Sequence, residues 1–213
     1  MLDFKHVYIP GADESQGTVL LLHGTGGDER DLLPLGARIA PGAAVLSPRG
    51  KVLENGMPRF FRRLAMGVFD VEDLKFRTQE LAGFVADAAR HYGFDPKRVL
   101  ALGYSNGANI AASLMLLRPE VLEAAVLLRP MIPLTPEHPP DLAGVRVFAG
   151  GGLQDPIVRP EETEGLAEML RNAGAEVEVH WSRGGHELSA EELEKAREWV
   201  ALTNRPHAVR GGA

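Results

Sequence analysis

The clearest chemical signal in this sequence is the segment Gly103–Gly107, which reads Gly-Tyr-Ser-Asn-Gly and matches the pattern G-x-S-x-G. Random placement of the chain's six serines and 24 glycines would give about 0.08 matches to this pattern. The segment joins an apolar strand pattern, Val99–Leu102, to a helical pattern that starts at Asn106. A strand that turns into a helix within one residue exposes Ser105 on a tight bend, which suits a nucleophile. The competing interpretation is a glycine-rich turn in which Ser105 only caps the helix.

A catalytic base is the next requirement, because a serine hydroxyl does not ionise near neutral pH. His186 follows a strand pattern and stands just before a helical pattern, so it is expected in a loop at one edge of the sheet. Five other histidines occupy less suitable places, namely the two ends of the chain, the end of a surface helix, a proline-rich turn and a strand: His6, His207, His91, His138 and His180. Position therefore favours His186, and the alternative is a loop histidine satisfied by the backbone.

Asp155 is the predicted acid that orients this base, because it comes soon after the apolar strand pattern Val145–Ala149. Asp95 and Asp141 precede their strands and are expected at the opposite end of the sheet. The resulting chain order, serine, aspartate and then histidine, is the order of α/β-hydrolases and differs from the orders of the other two serine-hydrolase folds. The alternative for Asp155 is an ordinary Asp-Pro turn.

A glycine-rich turn, His23–Gly27, follows the apolar strand pattern Val19–Leu22 and reads His-Gly-Thr-Gly-Gly. Attack of a serine on an acyl group creates a negatively charged oxygen, and losing one preorganised donor to it typically costs ~3 kcal/mol of barrier. The backbone amides of Thr25 (or Gly26) and of Asn106 are candidates for these donors. Phosphate binding is the rival interpretation, but the turn lacks the lysine and the glycine spacing of phosphate-binding loops.

Short apolar runs alternate with longer stretches of helical period along the chain, which predicts a mainly parallel sheet covered by helices on both faces. The predicted strands are Val19–Leu22, Ala44–Ser47, Val99–Leu102, Ala124–Leu128, Val145–Ala149 and Val177–Trp181. The predicted helices are Glu29–Ala40, Leu74–Tyr92, Asn106–Leu117, Glu161–Ala173 and Ala190–Ala201, with Gly93 as the C-terminal cap of the second. We expect one domain over residues 1–213, without a large cap domain and with a frayed tail at residues 205–213.

The stretch Pro48–Asp70 is irregular, because several glycines and prolines interrupt any long element. Long loops of this kind are often functional in compact domains. Four of its apolar side chains are predicted to form the acyl or aromatic side of a substrate pocket: Met57, Phe60, Phe61 and Phe69. Core packing beneath the loop is the alternative for them. Three arginines of the same stretch could meet an acidic substrate or form a solvated face: Arg59, Arg62 and Arg63.

Composition and charge argue against several classes of function. The 23 basic and 29 acidic residues give a formal net charge of −6 without a basic cluster, which disfavours nucleic-acid binding. The absence of cysteine excludes a disulfide, a thiolate nucleophile and a cysteine-ligated metal. No apolar run approaches the ~18 residues of a membrane span, and the start of the chain lacks a secretory pattern. We therefore expect a cytoplasmic protein that binds neither nucleic acid nor membrane.

Four segments, in order along nearly the whole chain, resemble the α/β-hydrolases of the phospholipase/carboxylesterase group, which includes acyl-protein thioesterase-like enzymes. They are Leu-Leu-His-Gly-Thr-Gly-Gly-Asp-Glu at 21–29, the segment Gly103–Gly107, Gly-Leu-Gln-Asp-Pro-Ile-Val at 152–158 and Gly-Gly-His-Glu-Leu at 184–188. The segments at 56–63 and 67–70 further resemble bacterial carboxylesterases associated with hydroquinone and catechol breakdown. The resemblance implies an α/β-hydrolase fold for this chain.

The same resemblance implies a serine esterase that cleaves small to medium carboxylic esters through an acyl-serine, with no metal or organic cofactor. Homodimers occur in the family that the chain resembles. It implies a catalytic triad of Ser105, Asp155 and His186. It also implies an oxyanion hole formed at Thr25 and Asn106. Asn106 and Thr25 stand where many acyl-protein thioesterases carry glutamine and leucine, which disfavours a protein thioester as substrate. A serine nucleophile, rather than cysteine, argues against dienelactone hydrolysis. The alternatives are an acyl thioesterase or lysophospholipase and, from another class, a hydrolase-like binding protein without turnover.

Overall fold

One central sheet of seven strands organises the computed structural model, which describes residues 2–12 and 17–203. The strands are β1 His6–Ile9, β2 Thr18–Leu22, β3 Ala44–Pro48, β4 Val52–Glu54, β5 Met57–Arg59, β6 Arg63–Ala65, β7 Val68–Phe69, β8 Val99–Tyr104, β9 Ala124–Leu128, β10 Arg146–Gly152 and β11 Glu176–Ser182. The helices are α1 Leu33–Ile39, α2 Val71–Tyr92, α3 Asn106–Leu117, α4 Pro160–Asn172 and α5 Ala190–Thr203. The predicted tail, residues 205–213, lies outside the described residues.

The strand order across the sheet is β1-β3-β2-β8-β9-β10-β11, and every neighbouring pair is parallel except β1 with β3. All residues of β2, β3 and β9 are buried, as expected for strands that have helices on both faces. One apolar layer joins Leu20 and Leu22 to α2, α3 and α4, and the other joins Val19 and Leu21 to α1 and α5. The predicted mainly parallel sheet with helices on both faces is confirmed.

Helix α1 is shorter than predicted, because it covers Leu33–Ile39 and not Glu29–Ala40. Pro34 lies in its first turn, where a residue without an amide hydrogen loses no helical hydrogen bond. Residues 29–32 form turns instead, and the Glu29 side chain is buried in an ion pair with Arg49. The apolar period was therefore informative about which side chains pack inward, but not about where the helix begins.

Helix α2 begins three residues earlier than predicted, at Val71. The Asp70 side chain accepts a hydrogen bond from the Asp73 amide at 3.1 Å and so caps the helix N-terminus. At the other end Gly93 has φ 78°, the left-handed conformation of a C-terminal cap. The predicted cap at Gly93 is confirmed.

The irregular stretch between β3 and α2 contains two small antiparallel hairpins, β4–β5 and β6–β7. They lie outside the central sheet and cover its carboxyl edge, next to the residues described below. No helix in the described ranges, 2–12 and 17–203, has the length and apolar character needed to cross a membrane.

Candidate active site

The carboxyl ends of parallel strands bring the predicted site residues to one edge of the sheet. Thr25 lies three residues after β2, Ser105 directly after β8, Asp155 three residues after β10 and His186 four residues after β11. These strands occupy one continuous part of the sheet, with β9 between β8 and β10. Residues far apart in sequence therefore converge at the edge where ligands bind in open α/β sheets.

Ser105 occupies a strained bend between β8 and α3, with φ 52° and ψ −111°. A positive φ is uncommon for a residue with a side chain and is often found at functional sites. The bend brings backbone segments very close together. A Cβ atom on Gly103 would lie 2.5 Å from the Gly107 carbonyl oxygen, and one on Gly107 would lie 1.8 Å from the Leu22 carbonyl oxygen. Both outer glycines of the motif are thus required by the packing of the bend.

A chain of hydrogen bonds connects Ser105, His186 and Asp155. The Ser105 Oγ atom lies 3.0 Å from His186 Nε2, and His186 Nδ1 lies 2.8 Å from Asp155 Oδ2. The second carboxylate oxygen, Oδ1, accepts from the amides of Ile157 at 2.7 Å and Val158 at 3.0 Å. An ionised carboxylate only accepts, so the Nδ1 atom of His186 carries its proton and Nε2 is free to accept the proton of Ser105.

Thr25 and Asn106, whose backbone amides are the predicted oxyanion donors, line the same cavity as Ser105 and His186. Asn106 is the first residue of α3, a position whose amide has no partner within the helix. The Gly26 amide donates to the Pro58 carbonyl oxygen at 2.9 Å and is therefore occupied. Within the described residues no hydrogen bond of the Thr25 amide is found, so Thr25 is favoured over Gly26 as the candidate donor.

The buried His23 side chain supports this glycine-rich turn from the interior. Its Nδ1 atom lies 2.7 Å from the Gly24 carbonyl oxygen, and its Nε2 atom accepts from the Gly50 amide at 2.9 Å. This pair of hydrogen bonds requires a neutral ring, which donates through one nitrogen and accepts through the other. Burial lowers the pKa of His23 and so favours that neutral form.

An ion pair between Glu29 and Arg49 fixes the chain just after the same turn. Arg49 Nε lies 2.5 Å from Glu29 Oε2, and Lys5 Nζ lies 3.4 Å from Glu29 Oε1. Burial alone would raise the pKa of the Glu29 carboxyl, but the hydrogen bonds from Arg49 and Lys5 outweigh burial and lower that pKa from 4.5 to about 2. The carboxyl therefore stays ionised between about pH 2 and pH 4.5, where the unfolded chain would protonate it.

We expect Glu29→Gln to lower the free energy of unfolding at neutral pH by about 1–2 kcal/mol. The native pKa lies below the unfolded value, so the ion pair stabilises fully above pH 4.5 and its contribution is lost as the pH falls from 4.5 through 2. Urea unfolding at a series of pH values should show the difference between wild type and variant shrinking below pH 4.5. Glu164→Gln, in an exposed pair with Arg171, is the control. A difference that persists undiminished in acid would contradict this assignment.

The cavity at Ser105 has a volume of about 290 Å³. Its lining includes Phe69, one of the four candidate pocket residues, together with His186, Thr25 and Asn106. A larger depression of about 460 Å³ lies at the opposite edge of the sheet, and no residue of the predicted triad lines it. The smaller cavity is therefore the candidate substrate site.

Phe60 and Phe61 do not line this cavity, and their predicted pocket role is wrong. Both side chains are buried in the apolar layer below α2 and α3. The Phe60 amide donates to Asn106 Oδ1 at 2.8 Å, which ties this part of the loop to the start of α3. Met57 is exposed beside Gly26 and is also absent from the cavity lining. Core packing beneath the loop, the alternative interpretation, describes the two phenylalanines.

Arg129 is the residue at this edge that sequence reasoning missed. It follows β9 directly, has φ 58° and is fully buried. Its guanidinium donates to the backbone carbonyl oxygens of Gly150, Gly185 and Glu187. It also donates to the Ser182 hydroxyl and the Glu192 carboxylate. Nε also lies 3.9 Å from Asp155 Oδ2. Its place in the sequence could have indicated it, because Arg129 is a charged residue directly after an apolar strand, just as Ser105 directly follows β8.

Comparison with known proteins places this arrangement among esterases. Residues 5–204 match the phospholipase/carboxylesterase family. MhqD of Bacillus subtilis (strain 168), whose name assigns it provisionally to the hydrolases, is 53% identical over 195 residues, covering 92% of this chain and 96% of MhqD. A Bacillus cereus carboxylesterase structure has 52% identity and a TM-score of 0.93, covering 94% of this chain and 95% of that one. A Mesorhizobium loti carboxylesterase has 35% identity and a TM-score of 0.86 over 94% and 95% of the two chains. This chain belongs to the phospholipase/carboxylesterase family.

Proposed function

We propose that the protein is a serine carboxylesterase that hydrolyses small to medium carboxylic esters through an acyl-serine intermediate. The hydrogen-bonded chain from Ser105 through His186 to Asp155 carries this proposal, because it joins a nucleophile to a base and the base to an orienting carboxylate. The family and its carboxylesterase members support the same class of reaction. The cavity volume of about 290 Å³ suits a small ester.

The first half-reaction acylates Ser105. The hydroxyl proton passes to His186 Nε2 while Oγ forms a bond to the ester carbonyl carbon, and the carbonyl oxygen takes up the negative charge. The amides of Thr25 and Asn106 donate to this oxygen, and the Asp155 carboxylate stabilises the imidazolium. The intermediate then collapses, the carbon–oxygen bond to the alcohol breaks, and the departing oxygen receives the proton from His186.

The second half-reaction releases the acid by the same route in reverse. His186 Nε2 takes a proton from a water molecule, whose oxygen attacks the acyl carbon of the acyl-serine. The second tetrahedral intermediate collapses with cleavage of the bond to Ser105 Oγ, which regains its proton from His186. Each half-reaction therefore begins and ends with a neutral imidazole.

A fluorophosphonate probe tests this proposal directly, because it traps an activated serine. We expect stoichiometric labelling that peptide mass spectrometry maps to Ser105, together with loss of p-nitrophenyl acetate hydrolysis. An adduct on another residue, or full labelling with no ester hydrolysed, would contradict the proposal. An acyl thioester cleaved orders of magnitude faster than the matched oxygen ester would make the protein a thioesterase instead.

We propose the cytoplasm as the compartment and a homodimer as the assembly of this protein. Cell fractionation checks the first, and light scattering of the purified protein checks the second. A secreted or membrane-associated pool, or a monomer at all concentrations, would contradict the respective part without affecting the reaction.

A further inference from the structure

Two arginines, Arg59 and Arg63, line the cavity at Ser105. Within the described residues both arginines form ion pairs with one carboxylate, that of Glu54. Arg59 Nε lies 3.2 Å from Glu54 Oε2, and Arg63 Nη2 lies 2.8 Å from Glu54 Oε1. Two guanidinium groups and one carboxylate leave this cluster with an excess of one positive charge.

The charge excess is not balanced from within the cavity. Among the lining residues in the described part of the chain there is no aspartate or glutamate. The third arginine of the loop, Arg62, forms its ion pairs elsewhere, with Asp70 at 2.9 Å and Asp73 at 3.8 Å, and is not part of the lining. In a chain with a net charge of −6, the side of this cavity formed by Arg59 and Arg63 thus carries an excess of positive charge.

Arg59 is a buried cation whose surroundings disfavour its charge. Its side chain is only 3% exposed, and it donates to Thr25 Oγ1 and to the Phe61 carbonyl oxygen. Burial and the nearby charge of Arg63 lower the pKa of Arg59, only partly opposed by Glu54. An anion bound in the cavity would offset both effects, because a nearby negative charge favours the charged form of a guanidinium.

Arg63 has a donor to offer such an anion. Its Nε and Nη2 atoms contact Glu54, whereas Nη1 lies 3.2 Å from the sulfur of Met66. A thioether is a weak acceptor compared with a carboxylate. Met66 also lines the cavity and is exposed, so a carboxylate could replace its sulfur at Nη1.

We propose that the substrate is a small ester that carries an ionised carboxylate in addition to its ester group. Arg63, with Arg59 beside it, binds this carboxylate while the ester bond lies at Ser105. Guanidinium groups bind carboxylates through charge-assisted hydrogen bonds that are stronger and more directional than neutral ones. This inference rests on the proposed esterase function and specifies its substrate class. A carboxylate on the acyl side gives a dicarboxylic acid and an alcohol as products. A carboxylate on the alcohol side gives a hydroxy acid and a carboxylic acid.

A different role for the same charge is stabilisation of the oxyanion, since Arg59 contacts Thr25. The two roles predict different selectivity. Charge that serves the oxyanion assists neutral and anionic esters alike, whereas a carboxylate site assists only the anionic ones. The ratio of kcat/KM between an anionic ester and its neutral counterpart therefore separates the two roles.

The experiment follows proton release with a pH-stat for two matched pairs of esters. Monoethyl glutarate with ethyl pentanoate places the carboxylate on the acyl side, and the acetyl ester of 4-hydroxybutanoate with butyl acetate places it on the alcohol side. In at least one pair we expect the anionic ester to be preferred about tenfold at low salt, and the preference to fall at high salt because a partly exposed charge is screened.

Three variants test which charges set this ratio. Arg63→Gln removes the excess charge, and the ratio should fall about tenfold. Glu54→Gln increases the charge of the cluster, and the ratio should rise, a change that unfolding cannot mimic. Arg62→Gln removes the same charge from the same loop but outside the cavity, since Arg62 is 60% exposed against 21% for Arg63, and should leave the ratio unaltered.

The results distinguish this inference from the proposed function. Hydrolysis of the neutral esters with no preference for either anionic ester overturns the inference and leaves the esterase intact. Equal shifts for Arg62→Gln and Arg63→Gln also overturn it, because the effect would then be long-range. Absence of hydrolysis in both pairs, together with no adduct at Ser105, overturns the esterase itself. If Arg63→Gln does not fold, Glu54→Gln and the salt dependence decide the matter.

Discussion

Ser105→Ala and His186→Ala are each expected to lower kcat for p-nitrophenyl acetate by about 10⁴-fold to 10⁶-fold. Without the hydroxyl no acyl-serine can form. Without the imidazole the hydroxyl loses its proton acceptor, His186 Nε2, which lies 3.0 Å from Ser105 Oγ. Because the two groups act as a unit, the double variant should be little slower than either single variant.

Steady-state rates of purified variants, with active-site titration of the wild type, measure these losses. His91→Ala is the matched control, since His91 is an exposed residue near the C-terminal end of α2 and does not line the cavity at Ser105. Fluorophosphonate labelling should disappear in Ser105→Ala and slow severely in His186→Ala. A Ser105→Ala variant that keeps more than about one per cent of the wild-type rate would show that hydrolysis does not pass through this serine.

The sequence predicted the position of Ser105 well because its constraints are local. Only glycine fits at positions 103 and 107, as the Cβ distances to neighbouring carbonyl oxygens show. The buried strands were equally readable, since apolar residues on both faces indicate a covered parallel sheet. The carboxyl ends of such strands meet at one edge, so Asp155 and His186 could be predicted from their places just after strands.

Other features depend on contacts between distant segments, which have no local pattern. The Gly26 amide is occupied because a hairpin brings Pro58 beside it, and no spacing in the turn indicates this. Phe60 and Phe61 point into the core, but a loop lacks the periodicity that tells an inward from an outward side chain. Strand β1 pairs antiparallel with β3 at the sheet edge, and it is short and only partly buried, so its signal is weak.

Arg129 shows the same limit most clearly, because its role depends on contacts with five residues that come together only in the fold. Nε donates to the Gly185 carbonyl oxygen at 2.9 Å and Nη2 to that of Glu187 at 2.7 Å, so the arginine holds the backbone on both sides of His186. The same side chain forms a buried ion pair with Glu192 in α5. Arg129 is thus placed to position His186 without lining the cavity at Ser105.

Arg129→Met should lower the free energy of unfolding by about 3–5 kcal/mol, because it leaves the buried carboxylate of Glu192 without a counterion. The double variant with Glu192→Met removes that unpaired charge and should recover most of the lost stability. It should still hydrolyse esters about 10²-fold more slowly than wild type, mainly through kcat, because the loop that carries His186 has lost its two carbonyl contacts.

Thermal melting and steady-state kinetics of the two variants and of Glu192→Gln separate these effects. Glu192→Gln keeps the arginine and its contacts to both carbonyl oxygens, so we expect a loss of stability with kcat near wild type. The buried cluster of Arg129, Glu192 and Asp155 has a formal charge of −1, and the double variant keeps that value because it removes one charge of each sign. The double variant therefore changes the net charge near His186 less than Arg129→Met does, and a slow but stable double variant supports a role of Arg129 in positioning His186. A double variant that recovers both stability and kcat would limit Arg129 to a structural role.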